Sequence, residues 1–97
     1  MKSILQTDRS CYFCGSVVGL EEHHIFVGTA NRKISEKYGF KVWLCHTHHT
    51  GSHGAQYDKD LNILLKQEAQ KAFEVHHSRA EWMDLIRKNY LREEKDP

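Results

Sequence analysis

Two short cysteine and histidine pairs constrain the fold of this chain more than any other feature. Cys11 and Cys14 are separated by two residues, and so are Cys45 and His48. Each pair places its ligand atoms on one side of a tight turn, so the two pairs together can complete a tetrahedron around zinc. Four protein ligands leave no open coordination position, which is typical of a structural metal. His46 also lies nearby, but the two-residue spacing favours His48 as the fourth ligand of a structural Zn²⁺.

The length of the chain gives a reason for such a site. A domain of 97 residues has a small hydrophobic core, and metal binding adds directly to its folding free energy. The composition, 39% hydrophobic and 28% charged, is that of a globular protein. We find no repeat and no linker, which indicates one domain over 1–97, with a core at about 11–58 and C-terminal helices at about 58–95.

A thiol-redox motif is the alternative interpretation of the first pair. Under it, Cys11 and Cys14 would be free and reactive, and Cys45 would be a buried core residue. Redox pairs of this spacing usually lie at a βα junction, and nothing around Cys11 indicates one. In a reducing compartment, three cysteines also favour metal binding over disulfides.

The hydrophobic pattern predicts strands in the first half of the chain. Residues 40–44 alternate and are rich in β-forming types, which predicts a strand. Residues 17–27 suggest one strand or a strand pair. Residues 28–39 are expected to form a polar loop with a short helical option. Residues 46–55 are expected to be irregular, because two glycines discourage a continuous helix.

The second half of the chain is predicted to be helical. Apolar residues recur on one face from about 58 to about 75, at the 3.6-residue period of a helix. Ser78 and Glu81 have the spacing of a capping box, which opens a last helix. The predicted class is therefore α+β: a small zinc-stabilised domain with C-terminal packing helices.

The structural zinc does not account for the remaining histidines. His23 and His24 are adjacent on a predicted strand, so they point to opposite faces. His49 and His53 are four residues apart, and a turn-like arrangement would place both on one side. A divalent metal held by two or three of these residues, beside a free imidazole, is a hydrolytic arrangement. The other histidines are interpreted as solvated or packing residues: His46, His76 and His77.

The order of these motifs resembles the zinc-containing HNH endonucleases, which have a ββα-metal fold. The resemblance rests on Cys-x-x-Cys, then His-His-Ile, then Leu-Cys-x-x-His-His, and covers about 11–58. Small HNH proteins of phages and prophages are especially similar. That similarity lies in His23 to Gly28, Asn31-Arg32, Ser35-Glu36, Lys37-Tyr38-Gly39 and Val42 to Cys45.

The resemblance implies a role for each histidine. His24 matches the general base, and His23 matches the metal position just before it. His49 matches the metal ligand that directly follows the second ligand pair, Cys45 and His48. His53 matches the last ligand of the catalytic metal. The implied cofactors are a structural Zn²⁺ and a catalytic divalent metal, Mg²⁺ or Mn²⁺, with Ni²⁺ or Zn²⁺ also accepted by such ligands.

The chain departs from the family pattern at two positions. The family's middle Asn ordinarily lies just before the Leu-Cys strand, where this chain has Phe40. Asn31 is the one Asn between the His pair and that strand, so we assign it the role of orienting the base. In some phage relatives the last His lies a few residues further on, at the position of Gln56, which is a poor ligand.

The predicted partner is DNA, although the net charge is only +1. Contacts to phosphates must then come from a local basic cluster, and of Arg32, Lys33 and Lys37 we select Arg32 as the DNA-binding residue. A non-catalytic zinc-stabilised module that binds DNA or protein is the alternative. The sequence has neither a signal-peptide pattern nor a long apolar run. We therefore expect no membrane association and a cytoplasmic location, in a bacterium or a phage-infected host.

Overall fold

A computed structural model describes residues 2–51, 54–55 and 58–91. Over these residues the chain is a small α+β protein with one two-stranded sheet, as the sequence predicts. The elements in chain order are β1 (Leu20–His24), α1 (Thr29–Tyr38), β2 (Lys41–Cys45), α2 (His46–His49), α3 (Lys59–Phe73) and α4 (Arg79–Ile86).

The sheet pairs β1 with β2 in antiparallel register. Leu20 lies opposite Cys45 at one end, and His24 lies opposite Lys41 at the other. The predicted strand at 40–44 is confirmed as β2, while the region 17–27 contains one strand rather than a pair. Because the strands run in opposite directions, the start of β1 and the end of β2 meet at the cysteine end of the sheet.

The segment between the strands is a helix that includes the short helical option we allowed at 34–38, but it also covers 29–33, where we expected a polar loop. The ten-residue α1 begins after Gly28 and ends before Gly39, both of which have positive φ, at 100° and 75°. Its one fully buried residue is Ser35, whose hydroxyl donates to the Phe26 carbonyl at 3.0 Å. Ile34 and Tyr38, four residues apart, pack against the core beside it, and the remaining residues of the helix are mostly polar and exposed.

The start of the segment 46–55 is likewise helical, because α2 forms a single turn directly after β2. Gly51 N–H donates to the His46 carbonyl at 2.8 Å and closes this turn. A Cβ at Gly51 would lie 2.9 Å from Thr47 Cα, so glycine is needed for the close approach. The short turn fixes His48 and His49 relative to the end of β2.

The two long helices begin where the sequence predicts. The Asp58 carboxylate accepts from Asp60 and Leu61 N–H, and Ser78 with Glu81 forms the predicted capping box. However, α4 ends at Ile86, and the described residues after it are not helical, which corrects the expected helical span to about 95.

The C-terminal segment turns back across α3 because buried polar groups hold it there. The Trp82 indole N–H donates to the Lys88 carbonyl at 2.8 Å. Gln70, fully buried, accepts from Tyr90 N–H at 2.7 Å and donates to Asn89 Oδ1 at 2.8 Å. These bonds compensate for the helical hydrogen bonds that the chain gives up after α4.

An aromatic cluster joins the sheet to the helices. Phe26 and Phe40 contribute from the sheet side, and Phe73 and Trp82 contribute from α3 and α4. The ring centroids of Phe40 and Trp82 lie 5.5 Å apart at 65°, an edge-to-face arrangement that aromatic rings favour. This cluster packs α3 and α4 against the residues that directly follow β1 and precede β2.

The N-terminal arm covers the free edge of β2. Ile4 N–H donates to the Gly39 carbonyl at 2.9 Å, and Trp43 N–H donates to Gln6 Oε1 at 2.7 Å. Covering an edge strand in this way satisfies its backbone and blocks pairing with other chains. None of the helices in the described parts of the chain has the length and apolar character needed to cross a membrane.

Candidate functional site

The first ligand pair, Cys11 and Cys14, lies in a tight turn. Gly15 takes a φ of 79°, and its N–H donates to the Cys11 carbonyl at 2.8 Å. Tyr12 N–H donates to the Trp43 carbonyl at 2.9 Å, and this hydrogen bond attaches the turn to β2. The turn therefore holds Cys11 and Cys14 beside the end of the sheet that carries Cys45.

The four predicted zinc ligands lie together. Their ligand atoms are all within 4.8 Å of one another. Cys14 Sγ lies 3.8 Å from Cys45 Sγ, and His48 Nδ1 lies 3.3 Å from Cys45 Sγ and 3.7 Å from Cys11 Sγ. A tetrahedral zinc with Zn–S bonds of about 2.3 Å needs ligand separations of about 3.8 Å. The cluster could thus hold a structural metal such as zinc.

The surroundings of the Cys11 thiol also suit a metal, although the neighbouring thiols of Cys11 and Cys45 raise the pKa of Cys14. Cys11 is buried, with 3% of its surface exposed, and none of the three cysteines forms a disulfide. Burial alone would raise the pKa of Cys11, but backbone hydrogen bonds, that of Cys45 first, lower this pKa to about 6. A thiol of lowered pKa supplies the thiolate that a metal requires.

His49 points away from this cluster although it follows His48 directly. Its Nδ1 lies 2.7 Å from Glu21 Oε1, and its ring centroid lies 5.1 Å from that of His23. His46 is largely exposed and lies 3.4 Å from the other Glu21 oxygen, so it takes no part in the cysteine cluster. The choice of His48 over His46 as the fourth ligand fits this arrangement.

His23 contains the most unusual polar atom of the site. The residue is 4% exposed, and its Nε2 is buried with no hydrogen-bond partner among the described residues. Burial lowers the pKa of His23 to about 4, and the charges of His49 and His24 contribute in the same direction. Its imidazole is therefore neutral near pH 7. A buried neutral imidazole nitrogen without a partner is a suitable metal ligand, and a metal would satisfy it.

His24 belongs to a separate polar cluster at the same end of β1. Its Nε2 lies 2.5 Å from Glu36 Oε2, and Lys41 Nζ lies 2.8 Å from Glu36 Oε1 and 3.5 Å from Glu22 Oε2. Hydrogen bonds from Lys41, and then from His24, lower the pKa of Glu36 to about 2. The three potential ligands Glu22, His24 and Glu36 lie within 4.8 Å of one another. Because the Lys41 ammonium bridges the carboxylates, they form an ion-pair cluster.

A cavity of about 540 Å³ opens between these groups. Four of the predicted site residues line it together: His23, His24, His49 and Arg32. The remaining lining residues are Glu22, Val27, Gly28 and Thr29. Asn31 is exposed on α1 and is not among the lining residues, while His53 and Gln56 lie outside the described residues.

Sequence reasoning missed three carboxylates of the site: Glu21, Glu22 and Glu36. Glu21 and His23 are two residues apart, so strand alternation places them on the same face of β1, and this signal could have identified Glu21. Glu36 had no such signal, because its contact with His24 depends on the whole of α1, of which the sequence predicted only a short helical option.

Comparisons with known proteins assign no family to the chain. No family model, no curated protein and no solved structure gives a significant match. What the fold and the site define is therefore a small α+β protein with a Cys3His cluster that can hold a metal, and with a histidine-lined cavity next to it.

Proposed function

We propose that this protein is a metal-dependent DNA endonuclease of the HNH type. In this proposal His24 is the general base, and His23 and His49 hold a divalent cation. The observation that carries the proposal is His23, which lines the same cavity as His49 and His24 and whose buried Nε2 has no hydrogen-bond partner in the described part of the chain.

The order of elements supports this proposal. The two antiparallel strands are followed at once by the helical turn α2, which is the order expected of a ββα-metal domain. The base candidate lies at the end of β1, and a ligand candidate lies on α2. On this interpretation α1 is an insertion between the two strands, and the Cys3His cluster fixes the junction of β2 and α2.

The two candidate ligands fit a divalent cation. His23 is neutral, and the Nδ1 of His49 is oriented by Glu21, an arrangement typical of metal-binding histidines. A cation there would supply positive charge to the scissile phosphate and to the departing 3′ oxygen. His53 is the proposed third ligand by its sequence position.

His24 is positioned to accept a proton. Its Nε2–H donates to the ionised Glu36, so Nδ1 is the ring nitrogen that can act as base. In the proposed reaction Nδ1 takes a proton from water, the water oxygen bonds to phosphorus, and the bond from phosphorus to the 3′ oxygen breaks. The released 3′ oxygen keeps the electron pair of that bond and takes a proton from a solvent water to become a hydroxyl. Arg32 lines the cavity, where its guanidinium can neutralise a phosphate charge.

The test is nicking of supercoiled plasmid with added Mg²⁺, Mn²⁺ or Ni²⁺. We expect metal-dependent nicking by the wild type and a loss on the order of 10²–10⁴-fold in His24→Ala. His76→Ala is the matched control, because His76 is exposed and lies after α3, outside the cavity. All three proteins are first compared for zinc content and circular dichroism.

Each outcome decides between the two functions considered. Nicking that is lost in His24→Ala and retained in His76→Ala supports the nuclease. If the wild type binds DNA but nicks it with none of these metals, the catalytic proposal fails, and a zinc-stabilised binding module takes its place. Equal nicking by all three proteins would exclude His24 as the base.

A further inference from the structure

Two lysines lie against one aromatic ring beside the cavity. Lys66 Nζ, on α3, is 5.6 Å from the centroid of the Tyr90 ring and 6.0 Å from the centroid of the Phe26 ring. Lys88 Nζ, in the segment after α4, is 5.2 Å from the centroid of the same Tyr90 ring. Among the described residues neither ammonium forms an ion pair, whereas that of Lys71, on the same helix, does. We call Lys66, Lys88 and Tyr90 the lysine site.

The lysine site is electrostatically unfavourable as it stands. Lys66 is partly buried, and burial, followed by the positive charge of Lys88, lowers the pKa of Lys66. A partly desolvated ammonium without a counter-ion is unfavourable, and two like charges close together repel each other. Contact with the aromatic faces stabilises each cation but does not neutralise it. An anion bound at this site would offset both the desolvation and the repulsion.

Buried hydrogen bonds hold the two lysines together. The Lys88 carbonyl accepts from the indole N–H of the buried Trp82 at 2.8 Å. The Tyr90 N–H donates to Oε1 of the buried Gln70 at 2.7 Å. These bonds fix the backbone at and near Lys88, so its approach to Lys66 is built into the fold. A repulsive contact that the fold holds in place in this way is expected at a functional position.

The lysine site borders the cavity of the proposed active site. The Phe26 ring, which Lys66 faces, packs on the Tyr90 ring with 6.0 Å between the centroids. The next residue, Val27, lines the cavity. After burial and the charges of the neighbouring histidines, the charge of Lys66 also contributes to the lowered pKa of His23, which lines the same cavity. An anion at the lysine site would therefore lie next to a phosphate bound in the cavity.

From this juxtaposition we infer that Lys66 and Lys88, beside the Tyr90 ring, bind a backbone phosphate of DNA that neighbours the phosphate in the cavity. The lysine site has no part in the proposed function, but the inference rests on that function for the identity of the anion. Each DNA strand carries one phosphate about every 3.4 Å of helix axis, so a strand that enters the cavity presents further phosphates beside it. Such contacts add affinity and orient the strand, and they take no part in bond cleavage.

The test measures binding of a short fluorescein-labelled DNA duplex to the zinc-loaded protein, without a divalent cofactor. Fluorescence anisotropy is recorded between about 50 and about 200 mM salt. Lys66→Met removes the charge and keeps an apolar side chain of similar length. The loss of one phosphate contact should lower the slope of log affinity against log salt by about 1, and weaken binding about fivefold to tenfold at about 100 mM salt. We expect this result for Lys66→Met and Lys88→Met, and the wild-type slope for Lys66→Arg.

A stability measurement separates binding from folding. Lys66→Met removes a partly desolvated charge and its repulsion by Lys88, so its melting temperature should equal or exceed that of the wild type while its DNA affinity falls. Lys71→Met is the matched control, because it makes the same charge change on α3 about 140° around the helix from Lys66. It should leave the affinity and its salt slope unchanged.

Each outcome decides the inference separately from the proposed function. Equal affinity and slope in the wild type and Lys66→Met, or no duplex binding by the wild type, overturn the inference whatever the plasmid assay shows. An equal loss in Lys71→Met would assign the effect to net charge and would also overturn it. If Lys66→Met and Lys88→Met lose affinity and slope, but the wild type nicks no plasmid, the phosphate site stands and the nuclease proposal fails.

Discussion

His48 and His49 are neighbours on one helical turn, yet they belong to two different sites. His48 Nδ1 lies 3.3 Å from the Cys45 thiol, in a cluster of four protein ligands. His49 Nδ1 lies 2.7 Å from Glu21, and its ring faces His23 in a cavity. The first site is complete within the protein, and the second is open.

Under the proposed function, this difference separates the residues that stabilise the fold from those that carry the chemistry. A closed set of four ligands leaves no position for a substrate, whereas an open set can accept a ligand from outside. The two sites share the β2–α2 junction, so the closed cluster also fixes where His49 lies. A small chain can in this way use one metal cluster both to stabilise its fold and to position a neighbouring site.

The largest expected effect is on the closed side. We expect His48→Ala to lose zinc and to unfold, because zinc binding in small domains contributes about 10–16 kcal/mol, as much as the entire stability of a typical domain. Metal analysis and circular dichroism measure both losses. His46→Ala is the control, since its side chain is 71% exposed and should leave zinc and fold intact. A folded, zinc-loaded His48→Ala would mean that the cluster needs only its thiolates.

In the open site, substitution of His49 should have the opposite effect: activity is lost while zinc and fold are kept. His49→Ala is expected to keep its zinc and to keep its melting temperature to within a few degrees. Its plasmid nicking should fall about 10²-fold or more, because losing a metal ligand reduces activity more than losing the residue that hydrogen-bonds to that ligand. The measurements are those made on His48→Ala. If His49→Ala also lost zinc, the two sites would not be separable and the comparison would fail.

A smaller effect is expected from the carboxylate that supports His49. Glu21→Ala removes the hydrogen bond to His49 Nδ1. It should weaken the affinity for the divalent metal, measured from the metal dependence of nicking, about 10–100-fold. Glu21→Gln retains an acceptor oxygen and should lose less. Titrating the divalent metal in the nicking assay gives both values. Equal losses in the two variants would show that the charge of Glu21 matters and the orientation of the ring does not.

The closed cluster could be predicted from the sequence because its information is local. The two-residue spacings of Cys11 with Cys14 and of Cys45 with His48 define two turns, and a turn conformation depends on few residues. Helix starts were predictable for the same reason, as the capping box at Ser78 shows.

The open site depends on contacts between distant segments and was only partly predictable. The histidines were found because their residue type is rare and chemically specific. Glu36 was missed, since it approaches His24 only when α1 folds, and the polar composition of that segment led us to expect mainly a loop. Asn31, assigned from the family pattern, lies exposed on that same helix.

The smallest expected effect concerns an ion pair that belongs to neither site. A hydrogen bond from Arg79, at 2.6 Å, lowers the pKa of Glu74 below its ordinary value of 4.5. Since this carboxylate is ionised above that pH in both the folded and the unfolded protein, its contribution to stability is constant there and disappears only as the pH falls below 4.5 towards the lowered pKa. Glu74→Gln should therefore lower the free energy of unfolding by about 1 kcal/mol or less, equally at about pH 7 and about pH 5.5.

The wild type should nevertheless lose stability between these two pH values, because protons compete with zinc for thiolate and imidazole ligands. Urea denaturation, followed by tryptophan fluorescence at both pH values, gives the free energy of unfolding of each protein and its slope with pH. Parallel slopes for the wild type and Glu74→Gln would assign the acid sensitivity to groups other than this ion pair, the closed cluster foremost. A difference between the two proteins that shrinks by about pH 5.5 would instead mean that Glu74 titrates within this window and that its folded pKa is not lowered. Repeating the measurement with zinc in excess should flatten both slopes alike, since added metal opposes the competition by protons and leaves Glu74 unaffected.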